Sequence, residues 1–232
     1  SLYFNADGSL RWSHVNRADN GDVFTVGWSR ILHTEEDIEI VNNFLDNVDN
    51  DHFKTETNKE NLSFVLEISK KFNIKYNLIE KTIQNFKGLK YRQQVISNSK
   101  YLRIINDSKS TSFSSSIAML KNNHNIFWLL GGVYKKGDKF NLSKKYFKNV
   151  EAFIYGKNKK FFINKLKGKI KFNNFDNMSD ALKKVFSVIK KKKFIKQTIL
   201  FSPSAASFDA FKNFEERGSY FNKLIKKYLN GI

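Results

Sequence analysis

FSPSAASFDAFKNFEERG, residues 201 to 218, holds the only proline of the chain, Pro203, and is the stretch on which the fold turns. An apolar run ending in Ile199 to Phe201 leads into a turn of small residues, Pro203 to Ser207. Beyond it Phe208, Phe211, Phe214 and Arg217 recur at helical spacing. The pattern predicts a buried strand, a tight turn and a helix whose first backbone amides face open space. Unpaired amides and the helix dipole both favour negative charge at such a point. An ordinary strand-turn-helix crossover explains the same local pattern.

Two further segments repeat the arrangement. IINDSKST, residues 104 to 111, is an apolar run that stops at Asn106, Asp107, Ser108, Lys109 and Thr111, ahead of a helical pattern from Phe113 to Leu120. IFWLLGGVYKKGDKF, residues 126 to 140, runs from a strand pattern into Gly131, Gly132 and Lys135. Three strand ends thus offer polar groups, and ligands of open parallel sheets bind outside the carboxyl ends of the strands.

Between these segments strand and helix patterns alternate. Strands are expected near Gln94–Ser97, Leu102–Asn106, Ile126–Leu130, Glu151–Tyr155 and Thr198–Ser202. Helices are expected near Phe113–Lys121, Asn158–Lys167, Ser179–Lys191 and Phe211–Leu229. Alternation of this kind implies βαβ units, hence an α/β fold with a Rossmann-like, largely parallel sheet flanked by helices. Upstream, Leu62 to Phe72 and Leu78 to Phe86 read as two apolar-faced helices.

Residues 1–53 differ in kind. They hold no Lys, three Arg and ten acidic residues, a formal balance of −7 against +26 for the remainder. Strand patterns at Leu10–Val15 and Val23–Trp28 precede HTEEDIEIVNNFLDNV, where Thr34 suits a helix N-cap and Asp37 completes a box-like start. The expected organisation is an acidic leader of separate origin (1–53), two helices and a hinge (54–87), and the α/β domain (88–232).

The chain has 232 residues, 41% of them hydrophobic, and 23 Phe, which suits a folded globule rather than a disordered polymer. It has no cysteine, which excludes disulfides and thiolate metal sites and suits the cytoplasm. No apolar run has the length of a membrane span. The net charge of +19 would ordinarily suggest nucleic acid. Here the excess is nearly all Lys, scattered among Asn, Ile and Phe, with no nucleic-acid motif beside it. Its densest run, Lys190 to Lys193, closes a helix pattern whose apolar face is Leu182, Val185, Phe186 and Ile189, where cations complement the dipole. No GxxxxGK[ST] phosphate loop is present. The four His, at positions 14, 33, 52 and 124, are far apart in sequence and suggest neither a metal site nor a nucleophile triad.

In their order and residues the three strand-end segments resemble the C-terminal domain of the Mur ligases, the ATP-dependent amino-acid ligases of peptidoglycan synthesis. NDSKST and SPSAASFDAFKNFEERG look like the branch that adds D-glutamate to UDP-N-acetylmuramoyl-L-alanine. FKGLKYRQQ, residues 86 to 94, is similar to the family's hinge, with Tyr91 where His usually stands. Asn58 and Asn61 match the asparagines that end its central ATPase domain, and the likeness runs from about Asn58 to Asn230.

The resemblance implies two steps: ATP phosphorylates the carboxylate of the UDP-sugar peptide, and the amine of D-glutamate attacks the acyl phosphate. It implies Thr111, Lys135, Ser207 and the backbone of Phe214 as D-glutamate contacts. Asn58 and Asn61 would contact adenine, while Arg92, Asp107 and Lys109 would lie near the ribose and phosphates. The plainer roles are a solvated lysine for Lys135, helix caps for Thr111 and Ser207, core for Phe214, a local ion pair for Asp107 with Lys109, and a helix start for the asparagines. No catalytic or metal-ligating residue is assigned in this chain. Magnesium and most of the ATP contacts belong to family domains that the chain does not match, so it is expected to be inactive alone, and monomeric. The alternatives are another Mur-type or folylpolyglutamate-type ligase domain, and a non-enzymatic basic module that binds nucleic acid.

Overall fold

In a computed structural model, which describes residues 2–4, 10–12, 35–54, 56–138, 140, 143, 147, 149–191 and 195–230, the chain forms two compact units, Ser1–Phe86 and Lys87–Ile232. In the first unit, strands β1 (Leu2–Phe4) and β2 (Leu10–Trp12) pair antiparallel. Helices α1 (Glu35–Asp46), α2 (Glu56–Lys71) and α3 (Tyr76–Asn85) follow, with a 3-10 turn at Asp51–Lys54. Val41, Phe44, Val48 and Phe53 share one hydrophobic core with Leu62, Ile79 and Ile83, so this core spans the expected boundary at residue 53. The strand expected at Val23–Trp28, residues 13–15 of the one before it, and the Thr34 cap lie outside the described residues.

The second unit is built on a six-stranded sheet. Its strands are β3 (Gln94–Asn98), β4 (Leu102–Asn106), β5 (Ile126–Leu130), β6 (Val150–Tyr155), β7 (Lys171–Phe175) and β8 (Gln197–Phe201). The spatial order is β3-β4-β8-β5-β6-β7, parallel throughout except for the antiparallel β3–β4 pair. Every residue of β5 and β8 is buried, as strands covered on both faces require.

Alternate residues face opposite layers. Ile105, Trp128, Leu130, Ile154 and Leu200 pack with Phe113 and Leu120 of helix α4 (Phe113–Lys121) and with Phe162 and Leu166 of helix α5 (Lys159–Leu166). Ile104, Phe127, Leu129, Phe153, Ile199 and Phe201 pack on the other side. Their partners are Leu182, Val185 and Phe186 of helix α6 (Met178–Ile189) and Phe221 and Ile225 of helix α7 (Phe214–Leu229).

Three expectations change. Strand β7 has no counterpart in the sequence reading, because KFNNF is a partly exposed edge strand with two Asn and no unbroken apolar run. The last helix begins at Phe214 rather than Phe211: Asn213 caps it by accepting from the Glu216 amide, and Phe208 is 74% exposed. The turn after β8 is therefore longer than the repeating Phe spacing implied. Helix α6 ends at Ile189 with Lys190 as C-cap, while Lys192 and Lys193 lie outside the described residues.

Candidate functional site

The three segments singled out in the sequence leave the carboxyl ends of β4, β8 and β5, the adjacent strands at the middle of the sheet. Backbone bonds tie them together. The Asp107 amide donates to Phe201 O at 2.7 Å, the Gly131 amide to Pro203 O at 3.1 Å, and Val133 and Ala206 exchange bonds of 2.9 Å in an antiparallel bridge. The glycine pair permits this approach. A Cβ on Gly131 would lie 2.1 Å from Tyr155 O and one on Gly132 2.3 Å from Ala206 O, with φ of +152° and +133°.

The four residues expected at D-glutamate enter this region from three loops. Thr111 is exposed just before α4, whose N-cap is Ser112 and not Thr111: Ser112 and Ser115 form a reciprocal capping box. The first amide of α4 already donates to Asp138 Oδ2 at 2.7 Å, which ties that helix end to the glycine-pair loop. Lys135 is exposed in that same loop, two residues past the Val133–Ala206 bridge. Ser207, one residue past the bridge on the other side, is 3% exposed, and its carbonyl accepts from the Ala210 and Phe211 amides. It caps no helix. Phe214 is half-buried at the start of α7, and its carbonyl accepts from Ser108 Oγ at 2.8 Å.

Of the residues expected at the nucleotide, Asp107 is the most constrained. It is 6% exposed. Its Oδ1 accepts from the Gln93 amide at 3.1 Å and its Oδ2 from Ser202 Oγ at 2.9 Å. Burial pushes its carboxyl up to about 7, against the opposing effect of those two hydrogen bonds and the Arg92 charge. Lys109 makes no local ion pair with it. The Lys109 ammonium stands 4.1 Å from the centroid of the Phe214 ring, a cation–π contact that joins the first segment to the last. Arg92 is exposed between Tyr91 and Gln93, both at positive φ (64° and 48°).

Asn58 and Asn61 lie in the first unit, in the first two turns of α2. Asn58 Nδ2 donates to His52 O at 2.6 Å, and Asn61 is exposed one turn later.

Behind the loops lies a hydroxyl cluster that the sequence reading missed. Ser116 Oγ is within 2.7 Å of Ser110 and Ser202 Oγ and 2.6 Å of Ser204 Oγ, and through Ser202 the cluster reaches Asp107. Arg217 was also missed as a site residue. It is 1% exposed and donates from Nε to Ser108 Oγ at 3.1 Å and from Nη2 to Ser108 O at 2.7 Å. A signal for it existed: Arg217 stands four residues before Phe221 and eight before Ile225, on the face that α7 buries.

Among the described residues no group of three His, Asp or Glu side chains is placed to hold a metal ion. None of the described helices is long and apolar enough to cross a membrane.

No protein-family model matches the chain. Its curated relatives include proteins named UDP-N-acetylmuramoylalanine--D-glutamate ligase. The one from Francisella philomiragia is 37% identical over 174 residues, which is 73% of this chain and 41% of that protein. The one from the Wolbachia of Brugia malayi is 33% identical over 172 residues, covering 74% and 34%. With the one from Hydrogenobaculum the identity is 30% over 213 residues, 91% of this chain and 49% of that protein, a match long enough to take in part of residues 1–53.

The chain thus spans less than half the length of these relatives. Among solved structures, UDP-N-acetylmuramate-alanine ligase MurC of Thermotoga maritima aligns with a TM-score of 0.52 at 14% identity, over 77% of this chain and 39% of that one. MurF of Acinetobacter baumannii aligns at 0.54 and 15%, over 74% and 38%. At such identities the likeness is one of fold.

Proposed function

We propose, from the premise that this chain belongs to the Mur ligase family over about three quarters of its length, that it is the D-glutamate-binding part of a ligase. That ligase joins D-glutamate to UDP-N-acetylmuramoyl-L-alanine in peptidoglycan synthesis, in the cytoplasm where nucleotide-linked substrates are made. The observation that carries the reading is the convergence of the three strand-end segments on adjacent central strands, where an exposed cation, hydroxyls and backbone groups adjoin.

D-glutamate presents two carboxylates and one amine. In this reading Lys135 pairs with one carboxylate as a mobile point charge. Thr111 and Ser207 donate hydroxyl hydrogen bonds, and the first turn of α7 at Phe214 receives the other carboxylate, where helix amides favour an anion. Holding both ends leaves the amine aimed outward, so that attack on an activated carboxyl becomes a matter of proximity.

ATP, when bound, supplies the phosphoryl group that activates the acceptor carboxylate. Toward it the chain would offer the Lys109 ammonium, held against Phe214, and Arg92 and Asp107 on the ribose side. The Lys109–Phe214 contact supports one further point, that the nucleotide and amino-acid sides share a wall. The match covers less than half of those relatives' length, and in this reading what the described residues contribute is the binding of D-glutamate.

The test is a titration of the chain with D-glutamate, with L-glutamate as control, followed by amide chemical shifts. Localised, D-selective shifts at Thr111, Lys135 and Ser207 support the reading. Shifts that are absent, or equal for the two enantiomers, overturn it for this chain.

A further inference from the structure

Arg217 is buried to 1% exposure, yet no carboxylate is bonded to it. Nε and Nη2 are satisfied by the hydroxyl and carbonyl of Ser108, both uncharged. Nη1 is buried with no hydrogen-bond partner among the described residues, and so is the hydroxyl of Tyr155. Both side chains border the glycine pair. A Cβ on Gly132 would come 3.1 Å from Arg217 Nη1 and 3.2 Å from the Ala205 Cβ, and one on Gly131 3.2 Å from the Tyr155 ring. The orphaned end of the guanidinium therefore lies directly beneath the Gly131–Lys135 loop and the Ala205–Ser207 turn.

The negative charge that acts on the guanidinium is that of Asp209, itself half-buried and also under the influence of Lys157. Desolvation disfavours the charged form of Arg217, and the Asp209 and Tyr155 acidic groups only partly oppose this. A buried cation without a bonded counter-ion is costly, and an anion arriving nearby lowers that cost. In a low-dielectric setting the attraction acts over several ångströms without contact.

We infer that Arg217 is a specificity-determining residue: its buried charge, beneath the loops that carry Lys135 and Ser207, favours a dicarboxylate amino acid over the corresponding monoamide. The inference rests on the D-glutamate reading above and adds the source of its charge selectivity.

The experiment compares D-glutamate with D-glutamine, titrated into the full chain and into Arg217→Gln, Arg217→Lys and Asp209→Asn variants, with circular dichroism to verify folding. The wild-type chain prefers D-glutamate. Arg217→Gln lowers that preference roughly tenfold, the effect of one charge at partial screening, and Arg217→Lys largely retains it. Asp209→Asn removes the competing negative charge and raises the preference.

A purely structural role for Arg217 weakens both ligands equally. That result, or an unchanged ratio in Asp209→Asn, overturns the inference. Should Arg217→Gln not fold, the Asp209→Asn ratio alone decides. A wild-type chain that binds both ligands equally overturns only the charge selectivity, whereas one that binds neither overturns the D-glutamate reading and this inference with it.

Discussion

The ring of Tyr91 occupies the space that a side chain on Gly218 would need: a Cβ there would lie 2.4 Å from Tyr91 Cδ1 and 2.6 Å from its Cγ. Tyr91 is held in turn by a bond from the Lys109 amide to its carbonyl, at 2.9 Å, and keeps a left-handed φ of 64°. The segment before β3 is thus pinned onto the first turns of α7.

Gly218→Ala should therefore destabilise the second unit by about 1–3 kcal/mol through overpacking, although Ala is the better helix former by about 1 kcal/mol. In a Tyr91→Ala background the same change should become neutral or stabilising. Urea unfolding of the four proteins in that cycle checks it. Equal effects in the two backgrounds would show that the ring and the helix do not compete for this space.

Asp107 makes stability depend on pH. Its carboxyl, ordinarily 3.8, is raised to about 7 by burial. Between those values the folded chain holds a proton that the unfolded chain has released. Stability is then fully present below about pH 4, falls as pH rises toward 7, and levels off above. Asp209, raised less by its half-buried position, acts with the same sign. Asp107→Asn should flatten most of this slope, as read from urea midpoints between pH 4 and 8. A slope unchanged by the substitution would assign it to other groups.

Gly132→Ala should cost about 3 kcal/mol or more. The new Cβ meets the Ala206 carbonyl, a backbone atom that cannot rotate away, and the φ of +133° is strained for any L side chain. Thermal melting reads the loss of stability. Amide shifts at Ala206 and Ser207 in the folded fraction report whether the two loops have separated.

Lys109→Met should weaken the binding of a nucleoside triphosphate at least severalfold, measured as the change in amide shifts on titration. Stability should change by about 1 kcal/mol, between the worth of an exposed cation–π contact and that of a desolvated one, since both residues are half-buried. A large stability loss with intact binding would make the contact with Phe214 structural instead.

Ser116→Ala should destabilise by about 2 kcal/mol, because it strips partners from three buried hydroxyls at once. Differential scanning fluorimetry suffices to see it. No change would mean that the remaining hydroxyls re-pair among themselves.

Much of the fold was legible along the chain. Strands at Leu102–Asn106 and Ile126–Leu130 and the helix Phe113–Lys121 stand where their apolar runs and turn residues placed them. Each is a local pattern with its own stops. The edge strand Lys171–Phe175 was invisible for the converse reason, since a half-exposed strand needs no apolar run. The start of the last helix was misplaced because Phe208 repeats the helical spacing and yet is largely exposed, while the true signal was the Asn213 cap followed by Glu216.

Of the candidate site, the sequence alone determined which residue types end the three central strands, and so the chemistry on offer there: an exposed lysine, hydroxyls and a glycine pair. Only the tertiary structure decided that these ends are neighbours, since it is the insertion of β8 between β4 and β5 that brings residues about a hundred positions apart within one hydrogen bond, as in Ser202 to Asp107. It also decided that Arg217 is buried against Ser108 and the glycine pair, and that the Asp107 carboxyl is desolvated. Periodicity tells which face of an element is covered; it carries no record of what covers it, because pairing and burial are set by non-local contacts.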